Sequence, residues 1–212
     1  MCNKVETAMT KFRSKEMLKE SDKIIKSHVK LSMIAGAVPI MFVDITFVTG
    51  VQIDMIKKMA KLYDINFDSQ EVKSLITALA SSTTGAVLGR FGASFVKAVP
   101  VVGTVLGVSS QVLLSGATTY ATGKVFQNHF HNSGNIKDFK ANKYKKSFKE
   151  FFDLGKKNIK KEEAQTSSET NTQTNEDIVK AISRLKELKD DETITQEEFD
   201  LAKAELLKKL QK

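Results

Sequence analysis

One cysteine, two prolines and no tryptophan occur in 212 residues. With Cys2 alone there is no internal disulfide and no multi-cysteine zinc site. With only Pro39 and Pro100 to interrupt it, so long a chain favours helices. A phosphate-binding Gly-x-x-x-x-Gly-Lys-Ser/Thr loop is missing, since Gly116 to Gly123-Lys124 has the wrong spacing and no following hydroxyl. GTP hydrolysis by this chain is therefore not expected. The N-terminal thirty residues are polar and carry no apolar h-region, so a secretory signal is not expected either. A mean hydropathy of −0.23 disfavours a polytopic transporter.

What is present is an uneven charge. The net charge is +8, from 33 basic and 25 acidic side chains. Residues 137–161 alone hold 10 basic and 3 acidic side chains, or +7. Residues 162–176 carry −4. A local basic block suits an acidic partner surface better than a uniformly basic protein would.

The pattern predicts an all-α fold. Residues 1–30 form a polar N-terminal helical unit, with a surface helix from Ser14 to Lys30 for which Ser14 is the cap. Two apolar, nearly uncharged segments follow, Leu31–Ile53 and Ala98–Gly123. Pro39 breaks the first near Val38–Ile40, and a new helix starts around Asp44 and runs to Tyr63–Asn66. Asp68 and Glu71 form a capping box for a small-residue helix from Val72 to Leu88. The second apolar segment would be about 39 Å long as one helix, but it contains eight Ser, Thr or Gln and four Gly. The expected helix runs from Thr104 to His131 and stops at Ser133-Gly134-Asn135. Whether these segments insert in lipid or pack on one another stays open at this point.

Residues 137–161 form a basic amphipathic helix with the stripe Tyr144, Phe148, Phe151, Phe152 and Ile159. One alternative has Lys140, Lys143, Lys145, Lys146, Phe148, Lys149, Phe152 and Lys156 contacting a membrane surface. A second stacks the aromatics on bases, but lysine outnumbers arginine, which weakens base readout and makes nucleic acid the poorer candidate. The third turns the stripe into the core and leaves the lysines solvated. Residues 162–176 have a flexible-linker composition. Residues 177–212 then form a helical hairpin whose stripes include Ile182, Leu185, Leu188, Phe199, Leu206 and Leu210. About thirty-five residues cannot build a strong core alone, so association with another copy or another surface is expected.

Two segments resemble known families. Residues 31–126 resemble the helical domain of the YcjF type, which occurs alone or attached to Era-like GTPases in bacteria. The resemblance is carried by Pro39-Ile40-Met41-Phe42-Val43-Asp44, then Gln52, Met55, Ile56 and Tyr63. It continues in Pro100-Val101-Val102-Gly103-Thr104, Gly107 and Thr119-Tyr120-Ala121-Thr122-Gly123. Met41 stands where a second proline is usual, Asp64 where a glycine is usual, and Val101 where the first turn glycine is usual. Residues 185–207 resemble the SHOCT domain through Leu185-Lys186-Glu187-Leu188-Lys189, Ile194-Thr195-Gln196-Glu197-Glu198-Phe199 and Ala204-Glu205-Leu206-Leu207. The first resemblance implies membrane association and partnership with a GTPase system. The second implies oligomerisation or membrane-linked assembly.

No constellation for catalysis emerges. Asp44 either caps its helix or binds a cation or partner, and the spacing favours the cap. Pro39, Asp44, Gln52, Pro100, Gly103 and Gly107 are the candidate cap or partner positions. His129 and His131 point to different helix faces, and a solvated helix end suits them better than a metal. Asp190-Asp191-Glu192 fails as a calcium loop because Thr195 and Leu201 occupy the positions needing Gly and Glu. The expectation is a non-enzymatic, cofactor-free scaffold or adaptor at the cytoplasmic side of the inner membrane, with a lipid surface and a second copy as partners. The alternative is a soluble cytoplasmic module that docks on a separate GTPase.

Overall fold

The structure is a computed structural model that describes residues 2–36, 44–81, 110–166, 172–192 and 194–210. The described residues are all-helical, with seven helices. These are α1 (Cys2–Gly36), α2 (Asp44–Leu62), α3 (69–81), α4 (Ser110–His131), α5 (Ala141–Thr166), α6 (Thr172–Asp190) and α7 (Gln196–Leu210). The turns expected at Pro39 and Pro100, together with Gly103 and Gly107, lie outside the described residues.

Helix α4 is the centre of the fold, packed against α1, α2 and α5. Its small residues explain why. Ala117 and Ala121 are fully buried. A Cβ on Gly123 would come within 2.7 Å of Ile25, and one on Gly116 within 2.6 Å of Met33. Such positions let neighbouring helices approach closely. The lower half of α4 supplies bulk instead, with Phe126 stacked on Phe139 at 4.3 Å and 9°. Val72, Ile76 and Leu79 bring α3 into the same core.

The helix starts and stops follow local chemistry. Asp68 accepts the Glu71 N–H at 2.8 Å, as expected of a cap. After α2, Asp64 adopts φ 56° and the Ile65 N–H closes onto the Ala60 carbonyl at 2.8 Å. After α4, Ser133 adopts φ 63° and the Gly134 N–H closes onto the His129 carbonyl at 3.0 Å. Both are Schellman-type ends made without glycine at the left-handed position.

Two expectations need correcting. The N-terminal helix is not a surface helix. Residues 31–36 contain no breaker, so α1 runs through to Gly36 and buries Ser21, Ile25, His28, Val29, Leu31 and Ser32. The basic helix begins at Ala141 rather than Lys137, because Asn135 and Asp138 close a turn through Asn135 N–H to Asp138 Oδ1 at 2.8 Å. Of the segment with linker composition, α5 takes in 162–166 and α6 takes in 172–176, while 167–171 lie outside the described residues.

The two apolar segments meet each other where they are described. Gln52 donates to Thr119 Oγ1 at 3.2 Å, and Thr119 donates to Ser32 Oγ at 2.8 Å. This buried chain joins α2, α4 and α1, so the hydroxyls of Ser32 and Thr119 in these two segments are core hydrogen-bonding groups. No helix among the described residues is long and apolar enough to cross a membrane.

Candidate functional site

Two sites combine charge with exposure or burial in ways the core does not require. The first is the outer face of α5. The period of the sequence places Phe148, Phe152 and Ile159 on one side, and all three are buried. Phe148 is 1% exposed and Phe152 is 5% exposed. These two aromatics therefore face the core, contrary to the surface contact expected of them. Burying a phenyl side chain against α4 gains far more than stacking it on a wet surface.

The lysines remain outside. Lys140, Lys143, Lys145, Lys146 and Lys149 are exposed, as are Lys157, Lys160 and Lys161. Lys156 is half-buried, pairs with Asp153 at 2.8 Å and lies over the Phe152 ring at 4.8 Å. Among the described residues the other lysines named here make no ion pair. Leu154 stands on this side at 42% exposure, three residues before Lys157 and seven before Lys161. Helical spacing sets those three on one stripe. The arrangement presents clustered positive charge around one exposed leucine.

The second site is a buried carboxylate. Asp54 of α2 is almost fully enclosed, and one of its oxygens meets nitrogens of three other side chains. His28 Nε2 is 2.8 Å away, Lys58 Nζ 2.8 Å and Arg184 Nη2 3.6 Å. His28 Nδ1 faces the Ile24 carbonyl at 2.7 Å. Burial desolvates Asp54 and by itself would raise its pKa. The hydrogen bonds from His28 and Lys58 override that and hold it down at about 2.

Arg184 belongs to the C-terminal hairpin, so this carboxylate ties the hairpin to the helical domain. Around it lie Lys57–Asp191 at 3.0 Å and Lys58–Glu187 at 3.8 Å. Leu185, Leu188, Phe199 and Leu206 are buried, with Ile182 packed against them. Leu31 of α1 and Val51 of α2 join that cluster. The hairpin stripes thus close on each other and on this chain's own α1 and α2. The side chains of Leu210 and Asp44 lie outside the described residues, although α2 does begin at Asp44.

His129 is a further correction. It is buried rather than solvated. Its Nε2–H points at the Asn135 carbonyl at 2.7 Å and Asp138 at 2.8 Å, and Nδ1 meets the Tyr144 hydroxyl at 2.8 Å. It locks the α4–α5 turn. Among the described residues no group of three or more His, Cys, Asp or Glu could hold a metal ion.

Asp54, His28, Arg184 and Leu154 were not singled out from the sequence. The Asp54–Lys58 spacing of four was visible as a helix pair. His28 and Arg184 meet Asp54 only through tertiary structure, and Leu154 stands out only once its exposure is known.

The family described as "Domain of unknown function (DUF697)" matches residues 1–157, and the chain belongs to that family. A protein named magnetosome membrane protein 22, from Magnetospirillum gryphiswaldense, is 35% identical over 137 residues. That alignment covers 64% of this chain and 70% of the relative. No solved structure matches.

Proposed function

We propose that this member of the DUF697 family is a non-catalytic protein that lies on an anionic membrane surface and holds partner proteins there. The carrying observation is the outer face of α5, where exposed lysines that make no ion pair among the described residues lie on the same side as Leu154. A lysine near an anionic leaflet contributes about 1 kcal/mol, so several acting together suffice for peripheral attachment. Leu154 adds one apolar contact at the headgroup boundary. The similarity to a protein named for a membrane supports the same reading.

The proposed surface is the cytoplasmic leaflet of the inner membrane, because cytoplasmic leaflets carry anionic lipid. The C-terminal hairpin is the proposed recruiting element, acting on a second copy or on a separate GTPase of the kind the YcjF resemblance suggests. Its exposed apolar residues Val179 and Leu207 support that role.

Flotation with vesicles tests the membrane step. The full chain should float with phosphatidylglycerol-containing vesicles at low salt, and about 0.5 M salt should release it, since the Debye length is then only a few Å. Flotation with purely zwitterionic vesicles should be weak. Equal flotation with both vesicle types, or none with either, would sink the proposal.

A further inference from the structure

A groove of about 280 Å³ opens between α1, α4 and α5. Its floor is apolar, formed by Val29, Met33 and Ile159. Its rim is cationic, with Lys26, Lys30 and Lys124. A soluble helical core has no need of such a combination. An apolar trough ending in ammonium groups complements a molecule with a hydrocarbon tail and an anionic head.

Two acids share the rim, and their pairing decides which lysines are available. Lys124 is held by Asp22 at 2.7 Å and also reaches Gln127 at 2.7 Å. Lys26 faces Glu162 at 3.7 Å, with both side chains more than 60% exposed, so that pair is weak and easily exchanged. Lys30 makes no ion pair among the described residues. An incoming anion would therefore meet Lys30 directly and take Lys26 from Glu162.

We propose that the groove between α1, α4 and α5 binds a single anionic amphiphile, its chain on Val29, Met33 and Ile159 and its head between Lys26 and Lys30. The choice of phospholipid as the source rests on the membrane-surface reading, while the site itself is separate from the outer face of α5. A bound lipid molecule would give the protein a preference for anionic membranes beyond what surface charge supplies.

The experiment is a calorimetric titration of the delipidated full chain with dihexanoyl-phosphatidylglycerol, kept below its micelle concentration. Saturable binding of one lipid per chain is expected. Dihexanoyl-phosphatidylcholine should bind about tenfold more weakly, which is the loss of one charge contact. Lys30→Glu should weaken binding by a similar factor, and Asn158→Phe, which fills the mouth of the groove from α5, should abolish it. Lys73→Glu on α3 should bind as wild type does, and circular dichroism should find all variants helical.

Hexanoate binding as tightly as the phospholipid would support the groove and make a free fatty acid its source. Non-saturable binding would overturn the proposal. So would equal binding of both phospholipids, or unchanged binding in Lys30→Glu and Asn158→Phe. No bilayer is present in this titration, so its failure is distinguishable from failure of the same chain to float on anionic vesicles.

Discussion

At the scale of single residues, Asp54 has the most consequences. One buried oxygen serves His28, Lys58 and Arg184, from three different helices. Asp54→Asn removes the charge that Lys58 and Arg184 face, and it should cost about 3 kcal/mol in a urea titration near neutral pH. The pH dependence follows from the depressed pKa. A carboxylate held down to about 2 from 3.8 contributes stability that is complete above the unfolded value. That contribution is lost as pH falls from about 4 toward 2 and amounts to about 2 kcal/mol. Wild type and Asp54→Asn should therefore converge in stability over that window. A gap that stays constant from pH 5 to pH 2 would assign the stability to something else. Asp64 gives a prediction of opposite sign. It occupies a left-handed position at φ 56°, where the YcjF-type pattern usually has glycine. Asp64→Gly should raise the melting free energy by about 0.5–1 kcal/mol.

At the scale of elements, some helix boundaries were visible from local signals, whereas the cap expected at Ser14 falls inside α1. Asp68 and Ser133-Gly134 began and ended helices at the expected places, because capping is decided within a few residues, and α2 begins at Asp44 as expected. The burial of α1 was hidden. Its helix-facing residues include Ser21, His28 and Ser32, which look like surface residues until partners such as Thr119 and Asp54 arrive from other helices. The aromatic stripe of α5 was legible as a stripe, but its direction was not, since a core and a membrane both accept phenylalanine. Two substitutions now separate its faces. Phe148→Ala should cost about 3–5 kcal/mol by leaving a cavity against the core. Lys146→Glu with Lys157→Glu should change stability by less than about 0.5 kcal/mol in the same titration, yet greatly reduce flotation with anionic vesicles. Loss of flotation in neither variant would remove α5 from the membrane contact.

At the scale of the whole molecule, the hairpin is attached to the helical domain through its own core. Leu31 and Val51 belong to the hairpin's apolar cluster. Ending the chain at Thr166 should expose both, lower stability by about 2–4 kcal/mol, and raise concentration-dependent association in sedimentation velocity. An unchanged urea midpoint would mean that the docked arrangement is not kept in solution. The charge layout gives the molecule its other property. Nearly all of the +8 net charge resides in 137–161, and the fold turns most of those lysines outward on one helix. The most direct test is a lysine-acetylation footprint of the full chain, free and bound to phosphatidylglycerol-containing vesicles, with mass spectrometry as the readout. Lys143, Lys146, Lys157 and Lys161 should become strongly protected on the vesicles, while exposed Lys73 on α3 keeps its free reactivity. Equal acetylation of the α5 lysines in both states, by protein that is fully vesicle-bound, would contradict attachment through that face.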